Sequence, residues 1–447
     1  MHRTLLFLAL VCSLMTSSAA WAASHLKSAH FPNGVKLVVD ESHEAPVAMV
    51  QVWLKVGGRD EQPGKTGLAH VFEHMMFKGS RKLGPGEFSK RIAAIGGNDN
   101  AFTTHDYTAY FETIPASRVD EVLSMEAERF AHLRLDAQEF AKEIRVIQEE
   151  RRMRTEDDPN SRLFEELSAT ALRLHPYRNP VIGWMQDLKH LTIEDVRAFY
   201  KAHYVPENVI VVIVGDVDFE HVRAVVGRTF GRLKPRQAPP RFTPVEPEPL
   251  GPKRLLVRLP AQLPMVAITM PVPVWQPGKN DREVAALAVA TQILAGGYGA
   301  RLQRELVDRE RLAFQTSAGY DPFGMGIDLW FAYGMLGPKQ SAEHFEAGFW
   351  RLIGQLASHD IGPAVLEAAK RSIIADEVFA QDSLYLRAKE IGRMEVVGIG
   401  AEHRDAWLDA VRKVTSSDVR EVIHQWIRAD RATTGVLQPK THRGGGA

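Results

Sequence analysis

Gly67-Leu68-Ala69-His70-Val71-Phe72-Glu73-His74-Met75-Met76-Phe77-Lys78-Gly79 is the stretch from which the rest of the chain can be read. With about 3.6 residues per helical turn, His70 and His74 fall one turn apart on one face, so both imidazoles can reach a single ion. Glu73 projects from nearly the same face. Pro63 and Gly67 suit the start of this helix and Gly79 its end. Zinc accepts imidazole nitrogen and carboxylate oxygen, and a catalytic zinc keeps one position for water. The pattern points to a zinc ion (Zn2+) held by His70 and His74, with Glu73 as the general base.

The order H-x-x-E-H is the inverse of the commoner H-E-x-x-H and is the inverzincin signature. A third protein ligand is then required. Cys12, the only cysteine, lies in an apolar run near the start, so no thiolate is available and the ligand must be a carboxylate. Residues 138–153 read as a helix on which Glu143, Ile147 and Glu150 follow i, i+4, i+7 and share a face. Acids on a partly apolar face are costly unless paired or bound to a cation. Glu150 or Glu143 is therefore the candidate ligand, and the other a partner for an imidazole N–H. Spacing alone leaves both open. Arg151, Arg152 and Arg154, with Glu156-Asp157-Asp158 after them, read as a solvated helix end and loop.

Around this centre, composition describes an ordinary soluble protein. The chain has 447 residues, 45% hydrophobic and 25% charged, which predicts two or more domains. Lys+Arg and Asp+Glu are equal at 55 each, giving no reason to expect nucleic acid or an anionic membrane as a partner. His2 and Arg3, an apolar run from Leu5 to Met15, and Ala20-Trp21-Ala22 predict a secretory signal peptide over residues 1–22. That implies export across the inner membrane and a periplasmic location. The run falls short of the ~20 apolar residues of a membrane span, and no other stretch is long enough.

Seven prolines (Pro235, Pro239, Pro240, Pro244, Pro247, Pro249 and Pro252) predict a semi-rigid linker over residues 235–253. It separates a metal-bearing domain over 23–234 from a second domain over 254–447. The halves resemble each other. Thr192-Ile193-Glu194-Asp195-Val196-Arg197 and Thr415-Ser416-Ser417-Asp418-Val419-Arg420 each open a helix that leads into an apolar strand. Ala48–Val56 and Met265–Val272 each alternate like a strand before a helix. An internal duplication follows. The expected fold class is α+β: two homologous domains, each a mostly antiparallel sheet with helices packed on one face.

These stretches together resemble the pitrilysin/insulinase family of zinc peptidases, particularly its short-chain, mitochondrial-processing-peptidase type. The resemblance is carried by residues 67–79, by Gly96-Gly97-Asn98-Asp99-Asn100-Ala101-Phe102-Thr103 and by Glu143–Glu150. His175-Pro176-Tyr177 and Tyr204-Val205-Pro206-Glu207-Asn208 also match, so it covers essentially the whole chain after the leader. It implies Glu150 as third ligand and Glu143 as the partner behind an imidazole. It also implies two domains closing like a clamshell, and an edge strand at Asn100-Ala101 to which a substrate peptide adds as a further strand. With zinc lowering the pKa of its water to about 7, Glu73 would take the proton and pass it to the leaving amine.

The chain departs from the family in its second half. Active relatives place an Arg and a Tyr there, seven residues apart; here Val307 and Phe314 hold those positions after the loop Gly296-Gly297-Tyr298-Gly299. Neither can donate a hydrogen bond to a developing oxyanion. Leu287–Ile293, at the place of the metal helix, offers no ligand. The resemblance therefore implies a heterodimer, in which a homologous partner chain supplies the Arg/Tyr pair. The alternatives are a non-cleaving, peptide-binding clamp and a scaffold subunit.

Overall fold

Val209-Ile210-Val211-Val212-Ile213-Val214-Gly215 is buried along its whole length, which a strand reaches when both faces of its sheet are covered. The computed structural model, which describes residues 26–297 and 299–440, builds two sheets. The leader expected over 1–22, Cys12 within it, and Tyr298 lie outside the described residues.

The first sheet comprises β1 (Leu26–His30), β2 (Lys36–Glu41), β3 (Val47–Leu54), β4 (Asn98–Thr103), β5 (Thr108–Pro115) and β6 (Val209–Gly215), in the order β1-β2-β6-β3-β5-β4. The second comprises β7 (Lys253–Leu259), β8 (Met265–Pro273), β9 (Gln315–Gly319), β10 (Ile327–Met335) and β11 (Thr433–Pro439), in the order β7-β11-β8-β10-β9. Each has one parallel pair, β2 with β6 and β7 with β11, and is otherwise antiparallel. Without β1, the first sheet is the second, strand for strand and direction for direction.

The longer helices of the first half are α1 (Leu68–Met75), α2 (Glu87–Ala94), α3 (Val119–His132), α4 (Ala137–Arg151), α5 (Pro159–Ala171), α6 (Ile193–His203) and α7 (Phe219–Arg228). Those of the second are α8 (Asp281–Ala295), α9 (Ala342–Ser358), α10 (Pro363–Ala380), α11 (Leu384–Val396), α12 (Arg404–Lys413) and α13 (Ser416–Trp426). The duplication reaches the caps. Thr192 and Asp195 form a capping box on α6, and Thr415 and Asp418 form the same box on α13.

Helices cover both faces of each sheet, where the sequence led us to expect one. The first sheet buries one face under its own α1, α3, α6 and α7 around Phe72, Val122, Val196 and Val222. Its other face is covered by α11 from the second half: Ala388, Ile391 and Val396 pack on Val38, Met49, Trp53 and Val212. In return, α5 sets Leu163 and Leu167 on Met265, Ala267 and Leu437 of the second sheet. Periodicity within one half cannot reveal a cover lent by the other, and this exchange welds the halves together.

Gly392 lies where α11 meets Trp53, which is fully buried; a Cβ at Gly392 would stand 2.0 Å from the indole Cε2. On an exposed helix face Gly→Ala would stabilise by about 1 kcal/mol. Here overpacking against a rigid ring reverses the sign, and Gly392→Ala is expected to cost about 1–3 kcal/mol in denaturant unfolding.

Residues 235–252 form no regular element, and Lys253, which we had placed in the linker, begins β7. The segment is pinned rather than loose. Arg241 grips Asp60 at 2.9 and 2.8 Å, Arg59 donates to Thr243 Oγ1 at 2.6 Å, and Glu246 accepts the backbone N–H groups of Arg173, Leu174 and His175.

Candidate metal centre

Helix α1, which carries His70 and His74, begins after Gly67, whose φ of 91° is left-handed, and a Cβ there would lie 2.7 Å from the Ile182 carbonyl oxygen. Gly67 has no side chain to cap the helix. Glu61 does so from outside, accepting from Gly67 N at 2.8 Å and Ala69 N at 2.7 Å, a carboxylate at the positive end of the helix. The apolar side of α1 (Leu68, Val71, Phe72 and Met75) is buried, with Phe72 against Tyr204 at 3.9 Å between centroids. The His70 and His74 rings are thereby turned together, 4.7 Å apart.

Helix α4 supplies the carboxylates. Asp136 caps it, accepting from Gln138 N and Glu139 N at 2.8 and 3.1 Å. Glu150 Oε2 lies 3.5 Å from His74 Nε2 and 3.8 Å from His70 Nε2, and these three residues form the metal-competent group among the described residues. The separations are too long for hydrogen bonds. They approach the ~3.3–3.4 Å edge of a tetrahedron drawn with metal–ligand bonds of about 2.0–2.1 Å. The donor set of two imidazoles and one carboxylate, without sulfur, fits zinc.

Glu143 stands behind the candidate ligands. Its Oε1 meets His74 Nδ1 at 2.9 Å and its Oε2 meets Lys78 Nζ at 2.6 Å. Burial pulls its carboxyl upward, but these two donors outweigh burial and hold it below the usual range. An ionised Glu143 accepts the Nδ1 proton of His74, which leaves the Nε2 lone pair facing Glu150. Burial, reinforced by His74 and Arg154, pushes the His70 imidazole down to about 3, so it is neutral at pH 7. His70 Nδ1 is buried without a hydrogen-bond partner in the structure, so nothing behind that ring fixes its tautomer.

Glu73 Oε2 accepts a hydrogen bond from Thr103 Oγ1 at 2.5 Å. Burial raises the Glu73 carboxyl above its usual range, opposed by the Thr103 bond. Thr103 closes β4, the outermost strand of the first sheet. Asn100 and Ala101 lie on the same strand; Asn100 is exposed, and its Oδ1 accepts from Ala101 N at 2.8 Å. Neither is hydrogen-bonded to His70, His74 or Glu150.

Three participants escaped the sequence. Lys78 and Thr103 stood inside quoted motifs without a role, and only the fold sets them against Glu143 and Glu73. Arg154 pairs with Glu150 Oε1 at 2.8 Å, where we had expected a solvated loop. Arg151 corrects the same expectation: it is buried and binds Glu165 through both terminal nitrogens at 2.8 and 3.0 Å. His105 and Asp106 belong to the junction between the halves, His105 bonding the Asn179 carbonyl and Asp106 pairing with Arg59 and Tyr177. In the second half Val307 packs against the core, Phe314 is 48% exposed, and Gln292 on α8 binds Ser372.

Comparison with known proteins follows this division. Residues 36–184 match the family model described as insulinase (peptidase family M16), and residues 190–373 match the peptidase M16 inactive domain. The chain is 31% identical over 449 residues to zinc protease PqqE of Helicobacter pylori, covering 98% of this chain and 99% of that protein. It is 30% identical over 202 residues to a probable mitochondrial-processing peptidase subunit beta of Arabidopsis thaliana, covering 45% of this chain and 38% of that one. A crystal structure of a protease from Helicobacter pylori superposes with a TM-score of 0.88 at 29% identity, covering 93% of this chain and all (100%) of that one. The first half of the Escherichia coli periplasmic protease PqqL shares the fold, with a TM-score of 0.75 at 18% identity over 92% of each chain.

Proposed function

Since the chain belongs to the insulinase (M16) family of zinc proteases, we propose that it is a zinc endopeptidase subunit in which His70, His74 and Glu150 hold the metal and Glu73 is the base. The observation that carries this reading is the convergence of three potential ligand atoms beside the half-buried carboxylate of Glu73. Zinc, when bound, supplies Lewis acidity and a water whose pKa falls to about 7.

The remaining work falls to the chain's own side chains. Thr103 occupies Glu73 Oε2 and fixes the carboxylate, leaving Oε1 to receive the proton given up by the attacking water. As the C–N bond of the peptide breaks, the same oxygen returns that proton to the departing amine. Glu143 keeps the His74 lone pair turned inward. The free edge of β4 offers Asn100 and Ala101 for main-chain pairing with an extended substrate, which favours unfolded segments over folded proteins. Asn100 Oδ1 must release Ala101 N for that pairing.

What this chain lacks is a donor for the developing oxyanion at Val307 and Phe314. A homologous partner chain carrying an Arg/Tyr pair would complete the site. Without one, the same centre would act as a peptide-binding clamp. The leader read over 1–22 would deliver the chain to the periplasm, and no described helix is long and apolar enough to cross a membrane. Residues 23–447, alone and mixed with a homologous chain, should be assayed on an extended fluorogenic peptide. Cleavage confined to the mixture is the expected result. Strong cleavage by the single chain would sink the divided site, and peptide binding without cleavage in either sample would favour the clamp.

A further inference from the structure

Helix α4 does not stop cleanly after Glu150; Arg152–Glu156 continue it as a π-turn, a feature that gathers at functional sites. The turn is anchored, because Arg151 is buried and holds Glu165 through two bonds, and Thr155 is buried as well. From it Arg154 sets Nη1 2.8 Å from Glu150 Oε1, while Oε2 of the same carboxylate faces the two imidazoles. Glu143, two turns earlier, is divided in the same manner: Oε1 to His74 and Oε2 to Lys78. Glu143 and Glu150 thus each give one oxygen to the metal-facing histidines and the other to a cation.

The ordinary view of Arg154 is an i,i+4 surface pair. Its side chain is 72% exposed, and such a solvent-screened pair contributes little to stability. Stability is not where its effect lies. A glutamate with both oxygens free can chelate an ion and fill the coordination position that a catalytic zinc keeps open. A guanidinium on Oε1 competes directly with that second bond. Its positive charge also opposes that of the metal, so it does not serve to tighten metal binding.

We propose that Arg154 is a positioning residue that confines Glu150 to ligation through Oε2 alone and so keeps the fourth zinc position open. This rests on the zinc reading above. The test compares unaltered 23–447, Arg154→Ala, Arg154→Lys and Glu143→Gln, each loaded with zinc for chelator competition and with cobalt(II) for absorption spectroscopy.

Arg154→Ala is expected to hold zinc as tightly as the unaltered chain or more so, whereas Glu143→Gln loses about ten- to a hundredfold in affinity, as removal of a partner behind a ligand usually does. The cobalt bands of Arg154→Ala should depart from those of the unaltered chain, because Glu150 Oε1 then takes the position otherwise left to water, whereas Arg154→Lys, which retains a cationic donor, should keep them. An Arg154→Ala protein whose cobalt bands match those of the unaltered chain would overturn the proposal. An unaltered chain that takes up no metal would instead bring down the zinc reading itself, so the two failures are distinguishable.

Discussion

Glu73→Gln is expected to lower kcat by about two to four orders of magnitude while the protein still binds one zinc per chain. Glutamine has the shape of glutamate and can still accept the Thr103 hydroxyl bond, so the local packing survives. It cannot take a proton. Glu73 is also outside the ligand set formed by His70, His74 and Glu150, so metal content should be untouched. Burial lifts the Glu73 carboxyl toward the working pH, where a general base transfers protons most effectively. Metal analysis of the variant, and steady-state kinetics of the same preparation mixed with the homologous chain, separate the possibilities. Full activity with zinc in place would remove Glu73 from the mechanism; loss of zinc with activity would reassign it to holding the site together.

The largest stability effect should come from a group remote from the reacting atoms. Arg129 on α3 is 1% exposed, lies between Glu112 and Glu126 (each 0% exposed), and stacks 3.8 Å over the Phe88 ring. The two carboxylates repel each other, and burial with this repulsion pushes Glu112 well above the usual range. Arg129→Met would keep much of the volume but leave both acids in an apolar enclosure. The expected cost is about 3–5 kcal/mol, read from denaturant unfolding at neutral pH. Replacing all three with apolar residues of similar volume should cost far less, because the penalty belongs to the stranded buried acids and not to the missing attraction. A single substitution costing under about 1 kcal/mol would contradict that account. The triad also braces the region after the metal helix, since Arg129 lies 5.1 Å from the Phe77 ring.

The sequence makes the chemistry more legible than the architecture. His70, Glu73 and His74 share a face because helical spacing alone puts them there, and the alternatives Glu143 and Glu150 lie on a second helix whose acids interrupt an apolar face. The repeated capping boxes betray the duplication. What stays hidden is everything that depends on one segment meeting a distant one. Glu61 capping α1 and Lys78 on the far oxygen of Glu143 have no local period to announce them. The exchange of α5 and α11 between the halves is hidden for the same reason. Arg151 read as solvated because a run of arginines at a helix end ordinarily is; its buried pairing with Glu165 needed the following π-turn and α5 to be in place.

The most direct test of the account is the zinc content of purified 23–447 beside its His74→Ala and Glu150→Gln variants, by elemental analysis after removal of loosely held metal. One zinc per unaltered chain, and a loss of at least about tenfold in occupancy in each variant, is the predicted result. An unaltered chain free of zinc, or variants that hold it as well as their parent, would contradict a centre built on His70, His74 and Glu150.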